Sequence, residues 1–261
     1  MLPGHIRIQQ ARRLIRNDLK KSHSEGEAES ITGLILEHTG YPPSKYLSEP
    51  ELVLDEGITM QINEIVSEIH KGRPIQYILG YTWFCDLKLR VEPSVLIPRP
   101  ETEEMVGLIR NSSEAEPARI LDLGSGSGAI ALALKKEFPG SEVVGTDFSE
   151  KALTLAAENS EELNLEVTWI QDNMLQPSAL QSLGEFELIV SNPPYIPESE
   201  RVTMEPHVTG HEPAQALFVP DTDPLVFYRS IGSLCRTLLA PAAALWAERH
   251  SLTGPRIPDL F

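Results

Sequence analysis

Residues 188–195 read Leu-Ile-Val-Ser-Asn-Pro-Pro-Tyr, an apolar run that stops at Asn192-Pro193-Pro194-Tyr195. Leu188, Ile189 and Val190 read as a buried parallel strand. Two successive prolines end it, because neither has an N–H to give to a sheet ladder. A stiff corner thus holds an amide side chain, a prolyl carbonyl and an aromatic ring at the C-terminal edge of a strand, which is where open α/β sheets bind ligands. Those three groups together suit a planar substrate that carries an NH2 group.

A second cluster lies upstream. Gly124-Ser125-Gly126-Ser127-Gly128-Ala129 follows the apolar strand Ile120–Leu123 and opens a helix. Glycines let the backbone turn tightly and approach a ligand, and a helix N-terminus offers free N–H groups. The spacing matches GxGxG and, with Ala129, the GxGxxA form of the dinucleotide fingerprint. Asp147 ends the next strand, where a carboxylate can accept hydrogen bonds from ribose hydroxyls. Loop and acid fit NAD or another adenosine ligand equally. Asn-Pro-Pro-Tyr at the end of a later strand has no role in a dinucleotide enzyme, whereas methyl transfer from S-adenosylmethionine to a planar nitrogen gives it one.

The elements that must position these residues follow from periodicity. Residues 5 to about 71 read as helices. The first carries Ile6, Ala11, Leu14, Ile15 and Leu19, interleaved with Arg7, Arg12, Arg13, Arg16, Lys20 and Lys21. This basic stretch is either a solvated helix face or a docking surface for an acidic partner. A second helix runs from about Ser24 to His38, ended by Gly40 and Pro42-Pro43, and a third from about Leu52 to His70, ended by Gly72 and Pro74. The alternation of Trp83 to Val91 favours a strand pair. Pro100-Glu101-Thr102-Glu103 opens a helix, and the two glutamates there suit the macrodipole rather than acid–base work. From residue 118 strands and helices alternate: strands at Ile120–Leu123, Glu142–Asp147, Val167–Ile170, Phe186–Val190 and Ala243–Ala247, with helices at Ile130–Phe138, Glu150–Glu161 and Pro224–Leu239. Repeated βα units imply a parallel sheet covered on both faces.

Composition narrows the partners. The chain has 261 residues, 41% apolar and 23% charged, with a formal net charge of −16. Binding nucleic acid through phosphates needs clustered Lys and Arg, so this charge argues against DNA or RNA as the main partner. Cys85 and Cys235 form no CxxC pair and read as buried thiols of a reducing compartment. No apolar run approaches a membrane span and no signal-peptide core is visible, so a cytoplasmic protein is expected. His207 and His211 have i, i+4 spacing but no third ligand nearby, and no metal is expected.

Four segments together narrow the reading further. Gly72-Arg73-Pro74-Ile75-Gln76-Tyr77-Ile78-Leu79-Gly80, Val95-Leu96-Ile97-Pro98-Arg99-Pro100-Glu101-Thr102-Glu103, the Asn-Pro-Pro-Tyr corner and His211-Glu212-Pro213-Ala214 resemble the PrmC/HemK family, over roughly residues 70–240. That resemblance implies a class I methyltransferase, a Rossmann-like doubly wound α/β sheet, with a small N-terminal helical domain joined by a β-hairpin. The corresponding boundaries are 1–74 for a substrate-docking domain, 75–100 for the hairpin linker and 101–261 for the methyltransferase domain. It implies methyl transfer from S-adenosylmethionine to the N5 nitrogen of the glutamine in the GGQ motif of peptide chain release factors; with the charge and the lack of an apolar span, a monomer with no direct nucleic-acid or membrane contact is expected. On the same ground Gly124, Ser125, Gly126, Ser127 and Gly128 wrap the methionine part of the cofactor, Asp147 holds the ribose, and Asp172 and Asn173 flank the adenine. The family often has an aromatic residue where this chain has Asn173. Asn192, Pro193, Pro194 and Tyr195 hold the glutamine, with Asn192 also beside the cofactor.

Two departures and two alternatives accompany the resemblance. The family usually has a glycine-rich turn before its last strands and a final strand inserted between neighbours; here Pro241-Ala242-Ala243 and Trp246-Ala247-Glu248-Arg249 stand instead, so the domain reads as shortened, with an irregular tail after Glu248. A sheet without that strand has a gap or an exposed edge. The alternatives are an N6-adenine methyltransferase, which shares the Asn-Pro-Pro-Tyr logic but needs a basic face, and an inactive cofactor-binding relative.

Overall fold

The computed structural model describes residues 1–249, which form two compact units, Met1–Leu79 and Gly80 onward. Among the described residues no helix is long and apolar enough to cross a membrane.

In the first unit three helices bury one stripe each: α1 (Ile8–Leu19), α2 (Glu25–His38) and α3 (Glu56–His70). Ile8, Ala11, Ile15 and Leu19 of α1 meet the core at helical spacing, as do Ile62, Ile65 and Ile69 of α3. Ser24 caps α2 in a reciprocal capping box with Glu27. The third helix starts at Glu56 rather than near Leu52, because Val53–Leu54 pairs with Ile6–Arg7 as a short antiparallel ladder and Asp55 then caps the helix by accepting from Ile58 N. The basic stretch is largely spent inside the unit. Arg12 and Arg16 pair with Glu29, Lys20 with Glu25, and Lys21 with Asp18. These exposed pairs stabilise little individually, but they neutralise the face that the sequence offers to an acidic partner.

The second unit opens with a hairpin of β1 (Tyr81–Phe84) and β2 (Leu87–Arg90), paired from Tyr81–Arg90 to Phe84–Leu87. Cys85 and Asp86 form its two-residue turn with φ of 47° and 58°, the left-handed pair that matches strand twist. Cys85 is thus half-buried at a turn rather than a core thiol, while Cys235 is buried in the core as expected. Burial and nearby Glu103 push the Cys85 thiol up to about 11, and burial alone does the same for Cys235.

Behind the hairpin, α4 (Pro100–Ser112) precedes a five-stranded sheet of β3 (Arg119–Leu123), β4 (Glu142–Asp147), β5 (Thr168–Gln171), β6 (Phe186–Ser191) and β7 (Leu239–Ala247). The strands are all parallel in the order β7-β6-β3-β4-β5. The intervening helices are α5 (Ala129–Glu137), α6 (Glu150–Leu163) and α7 (Val226–Leu238). Strand alternation sends Ile120, Val143, Leu188 and Val190 into a core with α4 and α5, and Leu121, Val144 and Ile189 into a core with Ile231, Leu234 and Leu238 of α7. Both faces being covered, the strands read as unbroken apolar runs.

The last strand begins at Leu239, directly after α7, not at Ala243. Its register with β6 slips between Leu239 and Ala244, where Ala242 takes φ 63°, before Ala244–Ala247 align with Leu188–Ser191. Among the described residues no strand pairs with its outer edge. The irregular tail expected after Glu248 falls, beyond Arg249, on residues outside the described residues.

Candidate functional site

The strand ends β3, β4 and β6 meet at one edge, and every predicted site residue but Asp172 and Asn173 sits on or just beyond them. Beyond β3 the chain turns through Gly124, Gly126 and Gly128 with φ of 81°, 55° and 84°. The tightest of these is Gly128, which caps α5: a Cβ there would come within 2.8 Å of the Trp169 ring. Gly145 of β4 faces the same ring, and a Cβ there would come within 2.2 Å of it, so Trp169 packs close to the backbone of both glycines. The loop is tied to β4 by Gly124 N and Ser125 N, which donate to Thr146 O at 2.8 and 2.9 Å. Asn159 of α6 donates to Ser127 O at 2.9 Å and also brackets both backbone groups of Arg90.

Asp147 fixes the loop from the other side. Its two oxygens accept from Gly126 N and Ser149 N, each at 2.9 Å. Burial raises its carboxyl above the usual range, and these donors with that of Phe148 offset part of the rise. Loop and carboxylate line a cavity of about 260 Å³ whose walls include Gly126, Asp147, Phe148, Asp172 and Asn192. The space beside Gly126 is open: a Cβ added there would meet no atom within 4 Å. A backbone cradle, a carboxylate already oriented by two N–H groups and half-exposed Phe148 fit an adenosine ligand extended along the sheet edge.

Asp172 and Asn173 line the cavity, but their side chains also shape their own loop. Asp172 accepts from Asn173 N, Ser178 N and Leu180 N. Burial opposes its ionisation, yet these donors win and hold the carboxyl below the usual range. Asn173 Oδ1 accepts from Leu175 N at 2.9 Å. Below the loop, Asp122 is fully buried, and burial lifts its carboxyl to about 7. One of its oxygens takes Ala131 N at 3.2 Å, and the other has no hydrogen-bond partner.

A second cavity of about 250 Å³ adjoins the first, with walls that include Arg99, Pro193, Tyr195, Met204 and Glu248. Asn192 lines both cavities and so stands at their junction. Its Nδ2 donates to Thr102 Oγ1 at 3.1 Å. Tyr195 OH donates to Glu248 Oε1 at 2.8 Å. Burial and the Glu248 charge push the phenol well above its ordinary value, so the group is a neutral donor and not a base. Glu212, whose side chain is 1% exposed, pairs with Arg99 and accepts from Ile97 N at 3.1 Å. That pair clasps the segments that carry Pro98 and Pro213, both in the wall of the first cavity.

The structure thus brings Gly124 to Ser127, Asp147, Asp172, Asn173, Asn192 and Pro194 to one cavity, and Pro193 and Tyr195 to the next. Gly128 supports the loop from behind. Four residues of the site escape sequence reasoning: Thr102, Asn159, Phe148 and Glu248. Thr102 lies within Pro-Glu-Thr-Glu, where the helix-starting glutamates are the visible signal. Of those, Glu103 accepts from Cys85 N at 2.9 Å and anchors the hairpin turn. The His207 side chain lies outside the described residues, and among the described residues no group of three or more His, Cys, Asp or Glu could hold a metal ion.

Residues 10–80 match the PrmC N-terminal domain, and residues 106–208 the methyltransferase small domain. A release factor glutamine methyltransferase of Bacteroides thetaiotaomicron is 39% identical over 92% of this chain and 86% of its own length. One of Streptococcus pneumoniae is 33% identical over 94% and 85%. Among solved structures, a ribosomal protein L11 methylase from Lactobacillus delbrueckii subsp. bulgaricus superposes with a TM-score of 0.46 at 20% identity, over 66% of this chain and 72% of its own.

Proposed function

The chain belongs to the release factor glutamine methyltransferases, S-adenosylmethionine-dependent enzymes of class I methyltransferase fold that methylate protein glutamine, and from that premise we propose that it methylates the N5 nitrogen of the GGQ glutamine of a peptide chain release factor. The observation that carries the reading is Asn192, a fixed amide at the junction of two adjoining cavities. The first cavity takes the cofactor, held by Gly124 to Ser127 around the methionine part and by Asp147 at the ribose, with Gly128 supporting that loop from behind and Asp172 and Asn173 near the adenine. Phe148 supplies an aromatic face that Asn173 lacks. Bound there, S-adenosylmethionine supplies an electrophilic sulfonium methyl. The second cavity takes the glutamine side chain.

An amide nitrogen is a poor nucleophile because its lone pair is delocalised into the carbonyl. Against a strong electrophile, catalysis asks mainly for alignment and electrostatics. Asn192 Oδ1 and the Pro193 carbonyl would accept the two amide hydrogens of the glutamine, fix its nitrogen, and disperse positive charge as the new C–N bond forms and the methyl C–S bond breaks to leave a neutral thioether. Tyr195 covers the amide plane with its phenol held by Glu248. No general base is required, because an N-alkylated amide cation is a very strong acid and loses its proton after transfer. The net charge of −16 favours a protein over a nucleic acid as acceptor. The helical N-terminal domain docks the release factor, and the enzyme works as a cytoplasmic monomer. Asn192→Ala should lower kcat at least on the order of 10²-fold, as does loss of one preorganised polar contact, with S-adenosylmethionine affinity largely retained. Near-normal turnover in that variant would sink the reading.

A further inference from the structure

The hydrogen bonds around Asn192 have a direction, and Glu248 sets it. The geometry points to Glu248 as a positioning residue that, through Thr102, fixes which end of the Asn192 amide faces the substrate. This rests on the reading of Asn192 as the acceptor for the substrate amide.

The donor inventory at the corner is small. Glu248 stands just past β7, where its N donates to Ser191 O and its carbonyl accepts from the hydroxyl of fully buried Tyr228 at 2.9 Å. Its backbone is therefore held on both sides, one residue across the sheet from the Asn192 corner. Its carboxylate accepts only. Oε2 takes the Thr102 hydroxyl at 2.7 Å, and Oε1 takes the Tyr195 hydroxyl at 2.8 Å. A threonine hydroxyl has a single hydrogen. Once that hydrogen is given to Glu248, Thr102 Oγ1 can only accept, and the group facing it must be the NH2 of Asn192. The Asn192 carbonyl oxygen is then the end left for the substrate. Reversing the relay would put NH2 against the NH2 of the substrate glutamine, donor against donor. The same carboxylate holds the Tyr195 phenol, so one side chain orients both the acceptor and the ring proposed to cover the amide.

Glu248→Gln keeps size and removes the charge and one of the two acceptors. A glutamine presents one acceptor and one donor where two acceptors stand, so either the Thr102 or the Tyr195 hydroxyl must turn from donor to acceptor, and an amide NH2 against Thr102 reverses the relay. Purified Glu248→Gln, Thr102→Val, Tyr195→Phe and the double variant Glu248→Gln/Thr102→Val are assayed with release factor and labelled S-adenosylmethionine, with cofactor affinity by calorimetry. Glu248→Gln should lower kcat about 10- to 100-fold, less than Asn192→Ala, with cofactor Kd unchanged within twofold. In the Thr102→Val background, Glu248→Gln should cost no more than Tyr195→Phe costs alone, and Glu248→Asp should recover part of the rate. A merely structural role predicts instead multiplicative losses and a weakened cofactor Kd. Either that pattern or a Glu248→Gln enzyme within twofold of the parent overturns the inference. If Glu248→Gln is silent while Asn192→Ala is not, the relay fails and the function stands; if Asn192→Ala is also silent, the function itself fails.

Discussion

Gly145→Ala places a methyl group where Trp169 already is. The added Cβ would lie 2.2 and 2.5 Å from two ring carbons and 2.8 Å from Ser125 Oγ. Carbon atoms sit comfortably at about 3.5–4.0 Å, so the ring must move by more than an ångström. The neighbouring ring carbon, Cη2, already packs close to Gly128, whose φ of 84° belongs to the glycine loop. The ring therefore cannot retreat without displacing the cofactor cradle. Inserting a methylene into a filled core costs about 1–3 kcal/mol, and a rigid ring packed close to two glycines sets this case near the top. Loss of glycine's unfolded-state entropy returns roughly 0.5–1 kcal/mol. The net expectation is about 2 kcal/mol, or roughly 4–8 °C in the melting temperature of a unit this size, with weaker S-adenosylmethionine binding. Urea unfolding followed by far-ultraviolet circular dichroism, which serves equally with or without Trp169, reads the first and calorimetry the second. In a Trp169→Leu background most of the cost should vanish, because the obstructing ring is gone. A loss below about 0.5 kcal/mol, or an equal loss in both backgrounds, would refute the account of how the loop is supported.

Three further outcomes follow from the site. Asp147→Asn keeps one oxygen but turns an NH2 against Gly126 N or Ser149 N, so S-adenosylmethionine Kd should rise about 10- to 100-fold, as for a lost charge-assisted bond; an unchanged Kd removes Asp147 from the cofactor site. Asp122 carries a folded-state pKa of about 7, above the roughly 3.9 of an unfolded aspartate, so the folded chain holds that proton longer. Stability should then fall as pH rises between those values and level off above, by at most about 1.4 kcal/mol per pH unit. Asp122→Asn should abolish that slope, and parallel stability curves for the two proteins would contradict it. Glu212→Ala strips Ile97 N and Arg99 of their shared acceptor and should cost about 2–3 kcal/mol, discounted because Arg99 is a third exposed; Glu212→Gln should cost less, and a denaturation midpoint unmoved by either would rule the clasp out.

Much of this site is local in sequence and legible there. The Asn192 corner declares itself because two prolines must end a strand, and the glycine loop because its three left-handed glycines stand between a strand and a helix. Asp147 follows from where β4 stops. Relations across long separations are not legible. Thr102 and Glu248 meet only because α4 and β7 flank the same strand end, and nothing in Pro-Glu-Thr-Glu or Trp-Ala-Glu-Arg announces that bond. Trp169 reads as a strand aromatic, and its role under the loop needs the register that sets it beside Gly145. The Cys85-Asp86 turn lacks the usual Asn-Gly signal, since its geometry is imposed by strand pairing and by Glu103 accepting from Cys85 N. The start of β7 is hidden because Pro241 and Ala242 read as a turn, and the chain passes them by slipping register instead of stopping.

The central claim is that a release factor glutamine lies against Asn192 and receives the methyl group on its amide nitrogen. The direct measurement is incubation of the full chain with a release factor and isotope-labelled S-adenosylmethionine, with the modified residue located by peptide mass spectrometry. One added methyl on the side-chain nitrogen of the GGQ glutamine is the predicted result, absent when that glutamine is replaced by alanine and strongly slowed with Asn192→Ala. Label that persists on the alanine-substituted factor, settles on another residue, or passes to DNA in preference to the factor would contradict it.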